Sequence, residues 1–216
     1  ELSPDQFFKS IVCEQLAATG LVEGPNFFFG RGRSGDVRQL DELCRAAGIT
    51  LDVVASQCAG DDVISSSRVR GLIQAGKVGE AAGLLTAWHR IRGTVVRGAG
   101  RGAGLGFPTA NLAEIDTLLP APGVYAGRAW LEHGAWPAAV HLGPLPTFGL
   151  SRPVVEAHLI GYHGDLYGRR LSVVFHHKLR EELRFASLEA LKSAIAADID
   201  AARALLAGPN EFVKSF

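Results

Sequence analysis

Methionine is absent from this chain of 216 residues, cysteine occurs three times, and neither sign of charge is in excess. Lysine and arginine together number 22, as do aspartate and glutamate, so the formal net charge is +0. This balance argues against a broad surface for nucleic acid or for an anionic membrane. No apolar run approaches the roughly 18 residues of a membrane span. The N-terminal residues ELSPDQFFKS also lack the basic and apolar regions of a signal peptide.

The scarcity of sulfur excludes further classes of protein. Cys13, Cys44 and Cys58 show neither a CxxC spacing nor a Cys/His zinc pattern. An odd, sparse set of cysteines favours reduced thiols in the cytoplasm. Because a translation product starts with methionine and this chain starts with Glu1, we expect the C-terminal part of something longer, or a processed chain.

The most informative segment that is present is residues 98–111, GAGRGAGLGFPTAN, with glycine at five alternate positions. Glycine lets the backbone pass close to a ligand, and a series of exposed N–H groups can hold phosphate oxygens. The segment lacks the Gly-Lys-Ser/Thr ending of a P-loop and opens no obvious helix, so neither a Walker A loop nor a dinucleotide fingerprint is supported. A flexible surface loop between strands is the alternative interpretation.

The polar end of this segment indicates a ligand. Pro108 fixes its own φ and favours extended geometry at Phe107. Thr109 and Asn111 are two residues apart, so they share a face of an extended segment. One hydroxyl and one carboxamide beside a glycine loop are typical of a metal–phosphate site.

Transfer of a phosphoryl group also requires a group that orients the acceptor hydroxyl. Glu156 is the candidate, because it lies in the apolar stretch VVEAHLI, residues 154–160. Burial of a charged carboxylate among apolar residues costs free energy, so its presence there indicates a specific role. On a strand it shares a face with His158. The alternative is an edge-strand glutamate that faces water.

Hydrophobic periodicity divides the chain into two styles near Leu85. The first half is predicted to be α/β, with helices over residues 4–18, 36–47, 68–75 and 78–85 and a strand over 49–54. The second half is predicted to contain short strands and to form a small antiparallel barrel or sandwich, followed by a helix that Ser187 caps. The predicted strands are residues 91–96, 124–131, 135–142, 154–160 and 171–176.

The string GFPTAN resembles the signature of riboflavin kinases, including the kinase half of bacterial bifunctional riboflavin kinase/FAD synthetases. Further similar motifs keep the family order over roughly residues 90–204: Pro122-Gly123-Val124-Tyr125, Pro146-Thr147-Phe148-Gly149, Leu166-Tyr167-Gly168, and Leu179-Arg180-Glu181-Glu182 with Phe185. The resemblance implies a riboflavin kinase-like domain over residues 86–216. Its expected fold is a six-stranded antiparallel Greek-key β-barrel with a C-terminal helix, and its expected substrates are ATP and riboflavin.

The resemblance also implies roles for particular residues. Glu156 corresponds to the base that acts on the ribityl 5′-hydroxyl, and Thr109 and Asn111 correspond to the residues that hold Mg²⁺, or another divalent cation, and the terminal phosphates. Arg180 is implied as a flavin or nucleotide contact, with a solvated surface arginine as the alternative. The glycine loop is expected at the phosphates of ATP through Gly102, Gly104, Gly106 and Pro108. Arg101, its only basic residue, either meets a phosphate or keeps the loop solvated.

Residues 22–36 and 64–70 resemble the adenylyltransferase half of bacterial FAD synthetases. We therefore expect residues 1–85 to be the C-terminal part of a Rossmann-like nucleotidyltransferase domain. Asn26 would contact a nucleotide, and Ser65, Ser66 and Arg70 would bind phosphates at a helix N-terminus; a simple helix cap is the alternative. The chain has no HxGH motif, which that family uses at the transferring phosphoryl group, so we expect it to lack FMN adenylyltransferase activity.

Three functions remain open at this point. The leading one is an enzyme that converts riboflavin and MgATP to FMN and ADP. The second is a fragment of a bifunctional FAD synthetase whose full-length form also adenylylates FMN to FAD. The third is a non-catalytic flavin- or nucleotide-binding module. For each of these functions we expect small-molecule ligands and neither nucleic acid nor a membrane as a partner.

Overall fold

A computed structural model of the chain describes residues 2–98, 100–144 and 153–207. By packing, the chain divides into two compact units, Glu1–Ile64 and Ser65–Phe216. The position at which the two predicted domains meet, after residue 85, stays a prediction.

The first unit has mixed α/β structure around a small core. Its core consists of Phe8, Val12, Phe29, Leu40 and Cys44. In chain order, the elements are α1 (Pro4–Phe7), a π-helix (Phe8–Gln15), β1 (Gly20–Glu23), β2 (Phe28–Phe29), a 3₁₀ turn (Arg31–Arg33), β3 (Gly35–Asp36), α2 (Val37–Ala47), β4 (Thr50–Val53), β5 (Cys58–Ala59) and β6 (Asp62–Val63). Strands β1 and β4 are parallel, while β2 pairs with β3 and β5 with β6 in antiparallel fashion.

Local signals explain where these helices begin and end. Helix α2 starts at an N-cap, Asp36, whose carboxylate accepts a hydrogen bond from the Gln39 backbone N–H at 2.9 Å. It ends at Gly48, whose φ of 69° is left-handed. The helix predicted over residues 4–18 is shorter than expected: π winding continues to Gln15, and Ala17, with a φ of 47°, lies beyond its end.

The second unit is a closed barrel with helices outside it. In chain order, the elements are α3 (Ser66–Gln74), α4 (Val78–Leu85), β7 (Arg90–Val96), α5 (Arg101–Gly104), β8 (Ala110–Ala113), β9 (Gly123–Leu131), β10 (Gly134–Pro144), β11 (Pro153–Leu159), β12 (Arg170–Arg180) and α6 (Leu188–Leu205). The six strands are antiparallel and follow the order β10-β11-β8-β7-β12-β9 around the barrel. The predicted six-stranded barrel with a C-terminal helix is therefore confirmed.

The strands β1, β2, β3, β5 and β6 of the first unit were not predicted. Two strands of the barrel also differ from the periodicity-based expectation. Strand β8 has four residues and was not among the predicted strands, because it is too short for alternation to stand out. Strand β12 continues to Arg180 through two irregularities of register, Phe175/His177 and Lys178/Arg180. Such bulges break the alternation on which the prediction depends.

The barrel interior holds the main core, and α6 covers one outer side. Interior side chains include Ile91, Tyr125, Val155 and Phe175, each fully buried. Helix α6 begins at its predicted cap, where the Ser187 hydroxyl accepts from the Ala190 backbone N–H at 3.1 Å. Within the described part of the chain, no helix is both long enough and apolar enough to cross a bilayer.

Candidate functional site

Three polar side chains form a row across neighbouring strands of the barrel. Asn111 on β8 lies opposite Glu156 on β11, and Glu156 lies opposite His141 on β10. Val155 and Ala157, on either side of Glu156, are buried in the core, so the row lies on the outer face of the barrel.

A cavity of about 310 Å³ opens beside this row. Its polar lining includes Thr109, His141, Glu156 and His158. Most of the remaining wall is apolar, as in sites that bind small organic ligands. Other lining residues are Gly102, Leu105, Phe107, Val124, Ala139, Arg180, Glu182, Leu183, Phe185, Leu191, Ile195, Asp198 and Ile199.

A second, smaller cavity of about 140 Å³ lies on another side of Thr109. Thr109 lines both cavities, and Pro108, Asp165 and Tyr167 line the smaller one. The guanidinium of Arg97 lies 5.2 Å from the centre of the Tyr167 ring, within cation–π range. Thr109 thus forms part of the wall of both cavities.

The glycine segment folds into a compact turn next to Thr109. Helix α5 is a single turn, and the Phe107 backbone N–H donates to the Gly102 carbonyl at 2.8 Å. A Cβ on Gly102 would lie 2.5 Å from the Phe107 carbonyl oxygen and 3.3 Å from the Thr109 hydroxyl, so the close approach requires glycine. Gly106 has a φ of 91°, which also favours glycine. Gly104 has open space around it, and the side chain of Arg101 lies outside the described atoms.

Asn111 is held by a second close approach. A Cβ on Gly98 would collide with the Asn111 carboxamide. Gly98 therefore leaves the space that the amide occupies. Asn111 belongs to the polar row but does not line the larger cavity, which distinguishes its position from that of Thr109.

His158 ties the end of the glycine segment to β11. Its Nδ1 lies 2.8 Å from the Pro108 carbonyl oxygen, and its ring meets Phe107 edge-on at 6.1 Å. These contacts bring the segment that contains Thr109 next to the strand that contains Glu156.

Arg180 is not the solvated surface arginine of the alternative interpretation. Its guanidinium pairs with the Asp198 carboxylate of α6 at 2.8 Å and lies 5.5 Å from the centre of the Phe185 ring. The side chains of Arg180 and Asp198 are only 22% and 11% exposed. Arg180 lines the larger cavity from this fixed position, while its contact with a flavin or nucleotide stays a prediction.

The remaining predicted site residues lie elsewhere. Asn26 is in an exposed turn of the first unit. In the second unit, the Ser65 hydroxyl caps α3 by accepting from the Arg68 backbone N–H at 3.2 Å, as the simpler alternative expected. Ser66 is exposed, and Arg70 donates to the Ser67 hydroxyl at 3.2 Å. Their predicted phosphate contacts are untested, and the motif Pro146-Thr147-Phe148-Gly149 lies outside the described residues.

Two buried histidines of the second unit, His89 and His176, have pKa values below the ordinary value of histidine. Burial, with smaller contributions from Arg128 and His177, lowers the pKa of His176 to about 4. Burial also lowers the pKa of His89. Neither residue lines either cavity.

Sequence reasoning did not single out His141 or Asp198. His141 reaches Glu156 only through the pairing of β10 with β11, and Asp198 reaches Arg180 only because α6 packs against the barrel. Neither residue has a motif or spacing that could have identified it.

Comparisons with known proteins match both parts of the chain. Residues 85–206 match the riboflavin kinase family, and residues 1–68 match the FAD synthetase family. The chain is 40% identical over 207 residues to a bifunctional riboflavin kinase/FMN adenylyltransferase of Pseudomonas fluorescens, covering 95% of this chain and 67% of that protein. It is 36% identical over 198 residues to the protein of the same name from Escherichia coli K12, covering 91% of this chain and 63% of that protein.

A solved structure gives the same coverage. A chain described as a macrolide-efflux protein from Streptococcus pneumoniae superposes with a TM-score of 0.83 at 28% identity, covering 94% of this chain and 66% of that one. The present chain thus spans about two thirds of the length of the relatives that it matches.

Proposed function

Because the chain belongs to the riboflavin kinase family, we propose that its second unit transfers the γ-phosphoryl group of ATP to the ribityl 5′-hydroxyl of riboflavin. The products are FMN and ADP. The observation that carries this proposal is the position of Glu156, which lies at an apolar cavity beside Thr109 and opposite Asn111. An apolar wall suits a flat flavin ring, and a carboxylate next to it suits the hydroxyl that reacts.

In this proposal, Glu156 is the base. The 5′-oxygen forms a bond to the γ-phosphorus while the bond from that phosphorus to the β,γ-bridging oxygen breaks. The hydroxyl proton passes to the Glu156 carboxylate, as general-base catalysis requires. The side chain of Glu156 is 34% exposed, so a bound substrate can reach it.

Thr109 and Asn111 are the proposed ligands of a divalent cation. Their hydroxyl and carboxamide oxygens are hard ligands of the kind that Mg²⁺ prefers, and Gly98 leaves the space that the Asn111 amide needs. Within the described part of the chain, no group of three or more His, Cys, Asp or Glu side chains could hold a metal. A cation here would therefore share its coordination with substrate phosphates and water, which is usual for Mg²⁺. When bound, it would neutralise charge on the phosphates.

The two cavities suggest where the substrates lie. We place riboflavin in the larger cavity, where Arg180 forms part of the wall, and the phosphates of ATP near Thr109 and the smaller cavity. Gly102, Gly104, Gly106 and Pro108 would bring the backbone close to those phosphates, and Arg101 would add charge. Thr109, which lines both spaces, would then lie where the phosphoryl group is transferred.

The test is incubation of the purified chain with riboflavin and MgATP, followed by chromatographic separation of the flavins. FMN that forms in step with ADP supports the kinase. Riboflavin that binds without turnover would instead support the non-catalytic binding module.

A second proposal concerns the first unit. The match of residues 1–68 to the FAD synthetase family favours a protein whose full-length form also adenylylates FMN to FAD, in which Asn26, Ser65, Ser66 and Arg70 serve the nucleotide. The test on this chain is incubation of FMN with MgATP. We expect no FAD, because the sequence contains no HxGH motif; formation of FAD would overturn that expectation.

The three free thiols fit a reducing compartment such as the cytoplasm.

A further inference from the structure

The imidazole of His141 lies beside the Glu156 carboxylate and has no part in the bond changes of the proposed reaction. His141 Nδ1 lies 3.9 Å from Glu156 Oε2, just beyond hydrogen-bond range. The two residues are directly paired on β10 and β11. Their buried neighbours, Val140 opposite Ala157 and Leu142 opposite Val155, fix this register from inside the barrel. The imidazole and the carboxylate therefore remain neighbours as long as the barrel is folded.

The other basic side chains of the cavity wall have partners elsewhere. Arg180 is paired with Asp198, and His158 contacts the Pro108 carbonyl oxygen. Glu182 also lines the cavity. Among the described residues of the wall, His141 is thus the basic side chain that is shown to approach Glu156.

The imidazole of His141 is also closely packed against the backbone of its own strand. A Cβ on Gly143 would lie 2.7 Å from His141 Cε1 and 2.8 Å from His141 Nε2. The ring therefore packs over Gly143, two residues further along the same strand. Any larger residue there would displace the imidazole.

We propose that His141 is a positioning residue for phosphoryl transfer, whose imidazole holds the Glu156 carboxylate toward the acceptor hydroxyl. The ring donates from Nδ1 to Glu156 Oε2, and this contact shortens when substrate binds. The other carboxylate oxygen remains for the proton of the 5′-hydroxyl. The inference rests on the proposed kinase function. Hydrogen bonds at catalytic sites are often long without substrate and shorten in the reacting complex.

The test compares two replacements of His141. Leucine fills a similar space without a donor, and asparagine keeps an N–H close to the position of Nδ1. We expect His141→Leu to lower kcat about tenfold or more with little change in the KM for riboflavin, since small misplacements of a reacting group are costly. We expect His141→Asn to retain most of the wild-type kcat. His133→Leu, in an exposed turn at 83% exposure of the side chain, is the matched control and should behave as wild type.

The outcomes separate the two proposals. If the wild type makes no FMN, the proposed function fails and this inference fails with it. If the wild type is active and His141→Leu matches it, only the role of His141 is overturned. If leucine and asparagine reduce kcat equally, or if the main change is in KM, a positioning role is also overturned. Thermal unfolding of each variant identifies any loss that comes from misfolding.

A double-mutant cycle gives an independent check. Gly143→Ala should lower kcat in the wild type by displacing the imidazole, and should have little further effect in the His141→Ala background, where that ring is missing. Equal losses in both backgrounds would show that Gly143 acts without His141 and would contradict the proposal.

Discussion

Glu156 and Asn111 face each other directly across the β8–β11 ladder. Paired residues in an antiparallel sheet hold their Cβ atoms about 5 Å apart. The proposed base and a proposed cation ligand therefore have a separation that the barrel sets, independent of the loops around them. Substitutions at this pair should affect turnover more than stability.

Replacement of Glu156 by glutamine tests the base. The change keeps the shape of the side chain and removes its capacity to accept the proton, so we expect kcat to fall by about 10²-fold or more. Nucleotide binding, measured by calorimetry, should change little. Glu132→Gln, at a side chain that is 91% exposed, should keep full activity. An unchanged kcat in Glu156→Gln would remove Glu156 from the mechanism.

Loss of the proposed cation ligands should appear as a change in Mg²⁺ dependence. We expect Thr109→Ala and Asn111→Ala to raise the Mg²⁺ concentration needed for half-maximal activity by about tenfold. Titration of FMN formation with MgCl₂ at saturating ATP measures it. Thr117→Ala, at an exposed threonine outside both cavities, should titrate like the wild type. The same Mg²⁺ requirement in all four proteins would argue against these ligands.

Gly98 should be required for the same site, although it has no side chain. Gly98→Ala places a methyl group against the Asn111 carboxamide, and we expect a Mg²⁺ requirement similar to that of Asn111→Ala. Gly83→Ala on α4 is the matched control, because a Cβ there meets open space. Normal Mg²⁺ dependence in Gly98→Ala would show that the amide can move without consequence.

The Arg180–Asp198 pair should be important for stability. With both side chains largely buried, Asp198→Ala leaves the guanidinium without its counter-charge, which costs about 3 kcal/mol of unfolding free energy. Asp200→Ala removes an exposed carboxylate that pairs with Arg203 on the same helix and should cost less than about 1 kcal/mol. Urea unfolding compares the two variants. Equal losses of unfolding free energy in the two variants would show that the buried pair stabilises the fold no more than the exposed pair does.

His176 should make the fold sensitive to acid. Its pKa is about 4 in the folded state and about 6.5 in an unfolded chain, so the unfolded state binds more protons between these values. Its contribution is complete above pH 6.5 and is lost as the pH falls toward 4, by about 2 kcal/mol between pH 6.5 and 4.5. Urea unfolding of the wild type and His176→Gln across this range should show a smaller dependence on pH in the variant. Parallel curves would contradict a neutral, buried imidazole.

Local patterns predicted much of this architecture, while the site depends on contacts that they do not encode. Helix α4 was predicted with its observed bounds, although Lys77 makes no side-chain cap at its start and Thr86, rather than a glycine, is left-handed at its end. Strand β8 was missed, since four residues give too little alternation. The GFPTAN string nevertheless directed attention to Asn111, because it resembles a family motif, and the role of Asn111 as a cation ligand stays a prediction. His141 and Asp198 could not be predicted: one depends on the register between two strands and the other on how a helix packs against the barrel.

Closure of the barrel has a consequence for synthesis of the chain. Strand β7, which opens the barrel, pairs with β12, which is its last strand. During translation one edge of β7 therefore remains unpaired until β12, and with it nearly the whole domain, has left the ribosome. Long-range pairing of this kind slows folding and exposes strand edges meanwhile. A ribosome-bound nascent chain from which β12 has not yet emerged should accordingly remain sensitive to protease, and emergence of β12 through Arg180 should protect it.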